Sequence, residues 1–122
     1  MGAINMSSVY VFVFSVPLKG PTIVSANRTE ASGAVVEWEH LDVENLRGKL
    51  VSYEIVYHEL SEEQCPATSD GNTTISVTGG DSYAVIANLD PRLEYCVAVA
   101  AKTGAGVGEF SYVTIPCMSM HP

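Results

Sequence analysis

A chain of 122 residues with six Lys and Arg against fourteen Asp and Glu, a formal charge of -8, holds enough sequence for one domain and one core. Its own field works against nucleic acid and anionic membrane surfaces as partners. Eight of the fourteen acids lie between Glu37 and Glu63, one acidic side that reads as a solvated face rather than a dock for a basic partner.

Taken in chain order, residues 1–20 form an N-terminal apolar segment and linker. The run 9–16 is too short to span a bilayer as a helix. It lacks the basic start and small-residue cleavage site of a signal peptide, and its β-branched and aromatic residues favour a strand. A remnant of a preceding strand, a weak signal peptide and an artefact of the chain start all stay open. From residue 22 onward apolar and polar residues alternate with period two and no helical stripe is found, so the chain is all-β. The predicted strands are 22–28, 34–40, 50–60, 73–78, 83–89, 95–103 and 109–117. Turn signals separate them at Ser32-Gly33, Arg47-Gly48, 69–72, Gly79-Gly80-Asp81 and 104–108. The last of these, glycine-rich and flanked by strands, reads as a hairpin loop and not as a phosphate cradle, which would open a helix. The predicted core is Val24, Ala34, Val36, Trp38, Leu50, Tyr53, Ile55, Tyr57, Ala84, Ile86, Leu89, Tyr95, Val97, Val99, Ala101, Val113 and Ile115. Trp38 is its anchor. Between the fifth and sixth strands, residues 88–95 (Asn-Leu-Asp-Pro-Arg-Leu-Glu-Tyr) have the layout of a tyrosine corner, in which the phenol of Tyr95 bonds to backbone just upstream.

The search for chemistry finds little. Cys65, Cys96 and Cys117 form no CxxC pair and His40, His58 and His121 are scattered, so neither a metal site nor a catalytic pair is predicted. Nucleophile-elbow, metalloprotease, P-loop and dinucleotide motifs are absent from the sequence. The reading carries no catalyst, cofactor or small-molecule substrate. Sequons stand at Asn5, Asn27 and Asn72, of which Asn27 and Asn72 are taken as candidate glycosylation sites.

With Pro21 opening the first strand, Trp38 on the second, 53–57 (Tyr-Glu-Ile-Val-Tyr) on the third, Leu89-Asp90-Pro91 before Tyr95, and 104–111 before the last strand, the chain resembles a fibronectin type III domain. The resemblance covers residues 21–116. An immunoglobulin domain would instead place a Cys on the second strand and a Trp on the third. What the resemblance implies is a seven-stranded, immunoglobulin-like antiparallel β-sandwich over 21–117, with 118–122 as a tail. It further implies a non-catalytic extracellular module of a cell-adhesion or receptor protein, binding a protein partner or spacing neighbouring modules. Any membrane attachment would come through a longer parent chain. The alternative is an ectodomain fragment of a receptor tyrosine kinase or receptor tyrosine phosphatase. On this fold all three cysteines fall at one pole, and 95–97 with 116–118 are similar to class II cytokine receptor domains and tissue factor, which implies a Cys96–Cys117 disulfide. Cys65–Cys96 is the runner-up, and either bridge implies an oxidising compartment. Two recognition surfaces follow: the loops 40–49, 79–82 and 103–109 at the opposite pole, and an exposed face of the third strand bearing Glu54, Val56 and His58. The sequence carries no Arg-Gly-Asp and no Trp-Ser-x-Trp-Ser, so an integrin ligand and a class I cytokine receptor are not expected.

Overall fold

Strand-forming runs that each hide one face need a second layer to hide it against. In the computed structural model, which describes residues 16–30, 32–60, 73–78 and 80–117, that layer is a second sheet. The elements are β1 (Ile23–Arg28), β2 (Ala34–Trp38), a single helical turn α1 (Val43–Leu46), β3 (Leu50–Glu59), β4 (Thr73–Thr78), β5 (Tyr83–Ile86), β6 (Tyr95–Thr103) and β7 (Gly106–Ile115). One sheet has the order β1-β2-β5 and the other β4-β3-β6-β7, and all pairings are antiparallel. This is the predicted seven-stranded sandwich.

The core follows the alternation. Ala34, Val36 and Trp38 of β2 face Tyr53 and Ile55 of β3 and Val97, Val99 and Ala101 of β6, all buried. Trp38 reaches across the sandwich to Tyr53, with ring centroids 5.3 Å apart and tilted by 59°, a separation and tilt suited to aromatic attraction. Leu50, Tyr57 and Val113 are half-buried against this cluster, and the rest of the predicted core is buried apart from Val24. Val24 is 62% exposed. A bulge shifts the register between Ile23 and Ser25, so two successive residues face outward and the inward parity passes to Ile23 and Ala26, which pack on the core.

Three further departures concern burial and strand ends. Residues Tyr95 to Ala101 of β6 are all buried, although alternation predicts a wetter face. β6 is flanked by β3 and β7, and its small outward residues Ala98 and Ala100 sit opposite Tyr112 and Phe110, whose larger side chains flank them. The second and fifth strands end earlier than predicted; beyond β5, Asn88 turns the chain at φ 62°. The 104–108 loop is tighter than expected, since β7 already starts at Gly106.

The residues ahead of β1 are packed rather than free. Pro17 is fully buried, and a Cβ on Gly108 would come within 2.6 Å of its Cβ and carbonyl oxygen. Gly20 likewise approaches Ser111 too closely for any side chain, and Val16 lies beside Gly106. Residues 16–20 therefore run alongside β7, an edge strand of its sheet, and cover it with a proline in place of a pairing strand. The rest of the apolar run, Asn5, Cys65, Asn72 and the tail 118–122 lie outside the described residues.

Candidate interaction surfaces

Two poles terminate the sandwich. At the first, the Tyr95 hydroxyl accepts a hydrogen bond from the Asp90 amide at 2.8 Å, the predicted tyrosine corner. Leu89 N–H donates to Ser32 O at 2.8 Å, which ties the corner to the turn between β1 and β2. Arg28 adds a fastening that sequence reasoning missed, having met it only as the middle of a sequon. Its guanidinium lies 5.5 Å from the centre of the Tyr95 ring and donates to the carbonyls of Pro116 at 3.0 Å, Asp90 at 3.2 Å and Leu93. One planar, multi-donor group thus joins the end of β1 to the corner and to the chain leaving β7, which a lysine could not do with the same fork. The carboxylate of Asp90 receives the Arg92 side chain, with Nη2 at 3.0 Å, and the Arg92 amide at 2.9 Å. These bonds hold its carboxyl below the usual range and raise the Arg92 guanidinium.

The second pole gathers the predicted recognition loops. Tyr53 OH accepts the Leu41 amide at 3.1 Å and lies 3.1 Å from His40 Nδ1, fixing where the chain leaves β2. Asp42 caps α1, accepting from the Asn45 amide at 2.9 Å and from Asn45 Nδ2 at 2.7 Å. Both bonds favour its ionised form and lower its carboxyl pKa. Arg47 ends the turn in the left-handed region at φ 58°, and a Cβ on Gly48 would rest 3.4 Å from Thr103, so the 40–49 loop touches the end of β6. Leu18 N–H donates to Asn45 O at 2.7 Å, clamping the lead-in segment to the same loop. The chain consequently enters beside Gly106 at this pole and leaves after Ile115, opposite Tyr95, at the other.

The outer face of β3 is less open than predicted, since Glu54, Val56 and His58 are half-buried. Glu54 is held by the hydroxyls of Ser52 at 2.6 Å and Ser76 at 2.9 Å. His58 Nε2 is buried without a hydrogen-bond partner among the described residues. No group of three or more acidic, His or Cys residues able to hold a metal occurs among them either.

The fibronectin type III domain model matches residues 19–116. The chain belongs to that family. Contactin-3 of Rattus norvegicus is 30% identical over 95 residues, covering 78% of this chain and 9% of that protein. A tyrosine-protein phosphatase Lar-like of Caenorhabditis elegans is 27% identical over 118 residues, covering 84% of this chain and 5% of its own length. The third fibronectin III domain of human KIAA0343 protein, a solution structure, superposes with TM-score 0.72 at 18% identity, covering 89% of each chain. This chain thus spans under a tenth of the length of these two relatives.

Within this fibronectin type III domain the predicted Cys96–Cys117 bridge is not formed. Cys117 is an exposed free thiol, and Cys96 is buried and disulfide-bonded. The register gives the reason. Thr114 is the residue opposite Cys96, so Cys117 stands three residues further along, about 10 Å at strand rise, beyond the roughly 7 Å that a disulfide spans between Cα atoms. The pairing that the similarity to class II cytokine receptor domains implies is therefore not the one formed. Of the two candidate glycosylation sites, Asn27 is exposed on β1, whereas Asn72 is outside the described residues.

Proposed function

We propose that this fibronectin type III domain is a non-catalytic extracellular module of a cell-adhesion or receptor protein, contacting a protein partner or spacing neighbouring modules of its own chain. The observation that carries the reading is its polarity: the chain enters clamped at the loop pole and leaves at the opposite pole, next to Arg28 and Pro116. A body with ends so placed fits in line within a longer chain. The contactin and phosphatase relatives support this reading. An enzyme-linked parent is not favoured, since the phosphatase relatives match at 26–28% identity against 30% for Contactin-3.

In this reading Cys96 bonds to Cys65, the remaining cysteine the sequence offers. Alkylation of native protein from the secretory pathway should label one thiol, at Cys117, whereas three free thiols in protein from its native source would overturn the extracellular setting. The 40–49 loop, held by Asp42, Tyr53 and the lead-in segment, is the recognition element. For a partner captured by cell-surface proximity labelling around the intact module, replacing the residues between Leu41 and Lys49 with a Gly-Ser loop should abolish capture. Undiminished capture would exclude the loop.

A further inference from the structure

The outer face of the three-stranded sheet carries large apolar side chains that nothing among the described residues covers. Val24, Val85 and Tyr83 are 62%, 59% and 49% exposed, and Val35 lies half-buried between the strands that carry them. Val35, Val85 and Tyr83 adjoin one another across β2 and β5, whereas Val24 stands beyond the Ser25–Glu37 row, and exposed apolar side chains grouped in this way mark something that covers them.

Strand register says what stands in its midst. Asn27 pairs with Val35 in β1–β2, and Val35 pairs with Val85 in β2–β5, so the three form one row across the sheet, on one face. Cross-strand neighbours have Cβ atoms about 5 Å apart, which puts Val85 about 10 Å from Asn27, one strand spacing beyond Val35. Asn27-Arg28-Thr29 is an acceptor sequence for N-glycosylation. Its middle residue is pinned inward by three backbone carbonyls and the Tyr95 ring, which turns Asn27 outward at the head of the valine row. The next row, Ser25 and Glu37, is already closed by a hydrogen bond of 2.9 Å.

We propose that Asn27 carries an N-linked glycan whose first N-acetylglucosamine residues lie across Val35 and Val85 and shield this face. The sugar's C–H face and acetamide methyl cover the valines while its hydroxyls stay in water. A covered face of this kind leaves the loop pole and the four-stranded sheet as the surfaces open to protein partners. The proposal rests on the extracellular reading, and the two are separable by experiment.

The full chain is sent through the secretory pathway of cultured cells, trimmed with an endoglycosidase that leaves one N-acetylglucosamine per site, and peptide-mapped. Asn27 should carry the sugar, and both Asn27→Gln and Thr29→Ala, the second leaving Asn27 in place, should lose it. Each variant should also gain binding of a hydrophobic dye and self-associate in sedimentation, and Val85→Thr in either background should reverse both gains. Secreted protein with a bare Asn27 and oxidised Cys96 would overturn the glycan and spare the extracellular reading. Protein that folds only with Cys96 reduced would overturn both. A glycosylated protein that still dimerises through Val85, or aglycosyl variants that bind no more dye than the parent, would refute shielding.

Discussion

Tyr95→Phe isolates a single atom of the corner. The ring stays, so its burial and its position beside the Arg28 guanidinium, 5.5 Å from the ring centre, are retained; what goes is the hydroxyl that accepts the Asp90 amide at 2.8 Å. An ordinary hydrogen bond contributes a net 0.5–1.5 kcal/mol or so, and a buried donor left without a partner costs about 1–3 kcal/mol. The Asp90 amide is only partly buried, so water reaches it in part and the expected loss is about 1–2 kcal/mol. For a domain of this size that is a fall in Tm of roughly 4–8 °C per kcal/mol. Urea titration followed by the fluorescence of Trp38, the single tryptophan of the chain, reads the change directly, and the slope with denaturant should not move. Arg28 holds the same corner through the Asp90 and Leu93 carbonyls, so the Tyr95→Phe, Arg28→Met double variant should depart from additivity by more than the roughly 0.3–0.5 kcal/mol typical of independent sites. A Tyr95→Phe loss below about 0.3 kcal/mol, or strict additivity with Arg28→Met, would show that the corner is not a shared fastening.

Trp38→Ala removes the ring that spans the two sheets, and a loss of about 3–5 kcal/mol is expected, enough to leave a marginal domain largely unfolded; amide dispersion in an NMR spectrum checks it. Gly108→Val forces a side chain into Pro17 and should lift the lead-in segment from β7. Trypsin cleavage after Lys19 should then quicken relative to the parent, and an unchanged rate would contradict the clamp. Asp90→Asn tests the corner's acid dependence. Because the folded carboxyl is lowered by Arg92, its contribution is fully present above the ordinary carboxylate pKa and is lost as pH falls through the lower folded value. The stability gap between parent and variant should therefore close on acidification, measured by thermal melts across that window.

The layered architecture was legible because alternation is local: each of β2, β3 and β5 shows in its own residues which face is dry, and the Leu-Asp-Pro…Tyr spacing places the corner without reference to anything distant. What failed was in each case a matter of register or neighbour. Alternation points Val24 inward, because a bulge leaves no mark in it. Alternation places Glu54, Val56 and His58 on an exposed face, because nothing local reveals that β3 lies inside its sheet.

Period, turn chemistry and the positions of Trp38 and Tyr95 are written in the chain itself, since short-range sterics and burial act on residues a few places apart. Tertiary structure alone decided that Thr114, not Cys117, stands opposite Cys96, that Arg28 bridges residues some sixty to ninety positions away, and that Asn27 heads a row of valines. Each depends on which strands become neighbours and in what register, a choice made when two sheets close on a common core.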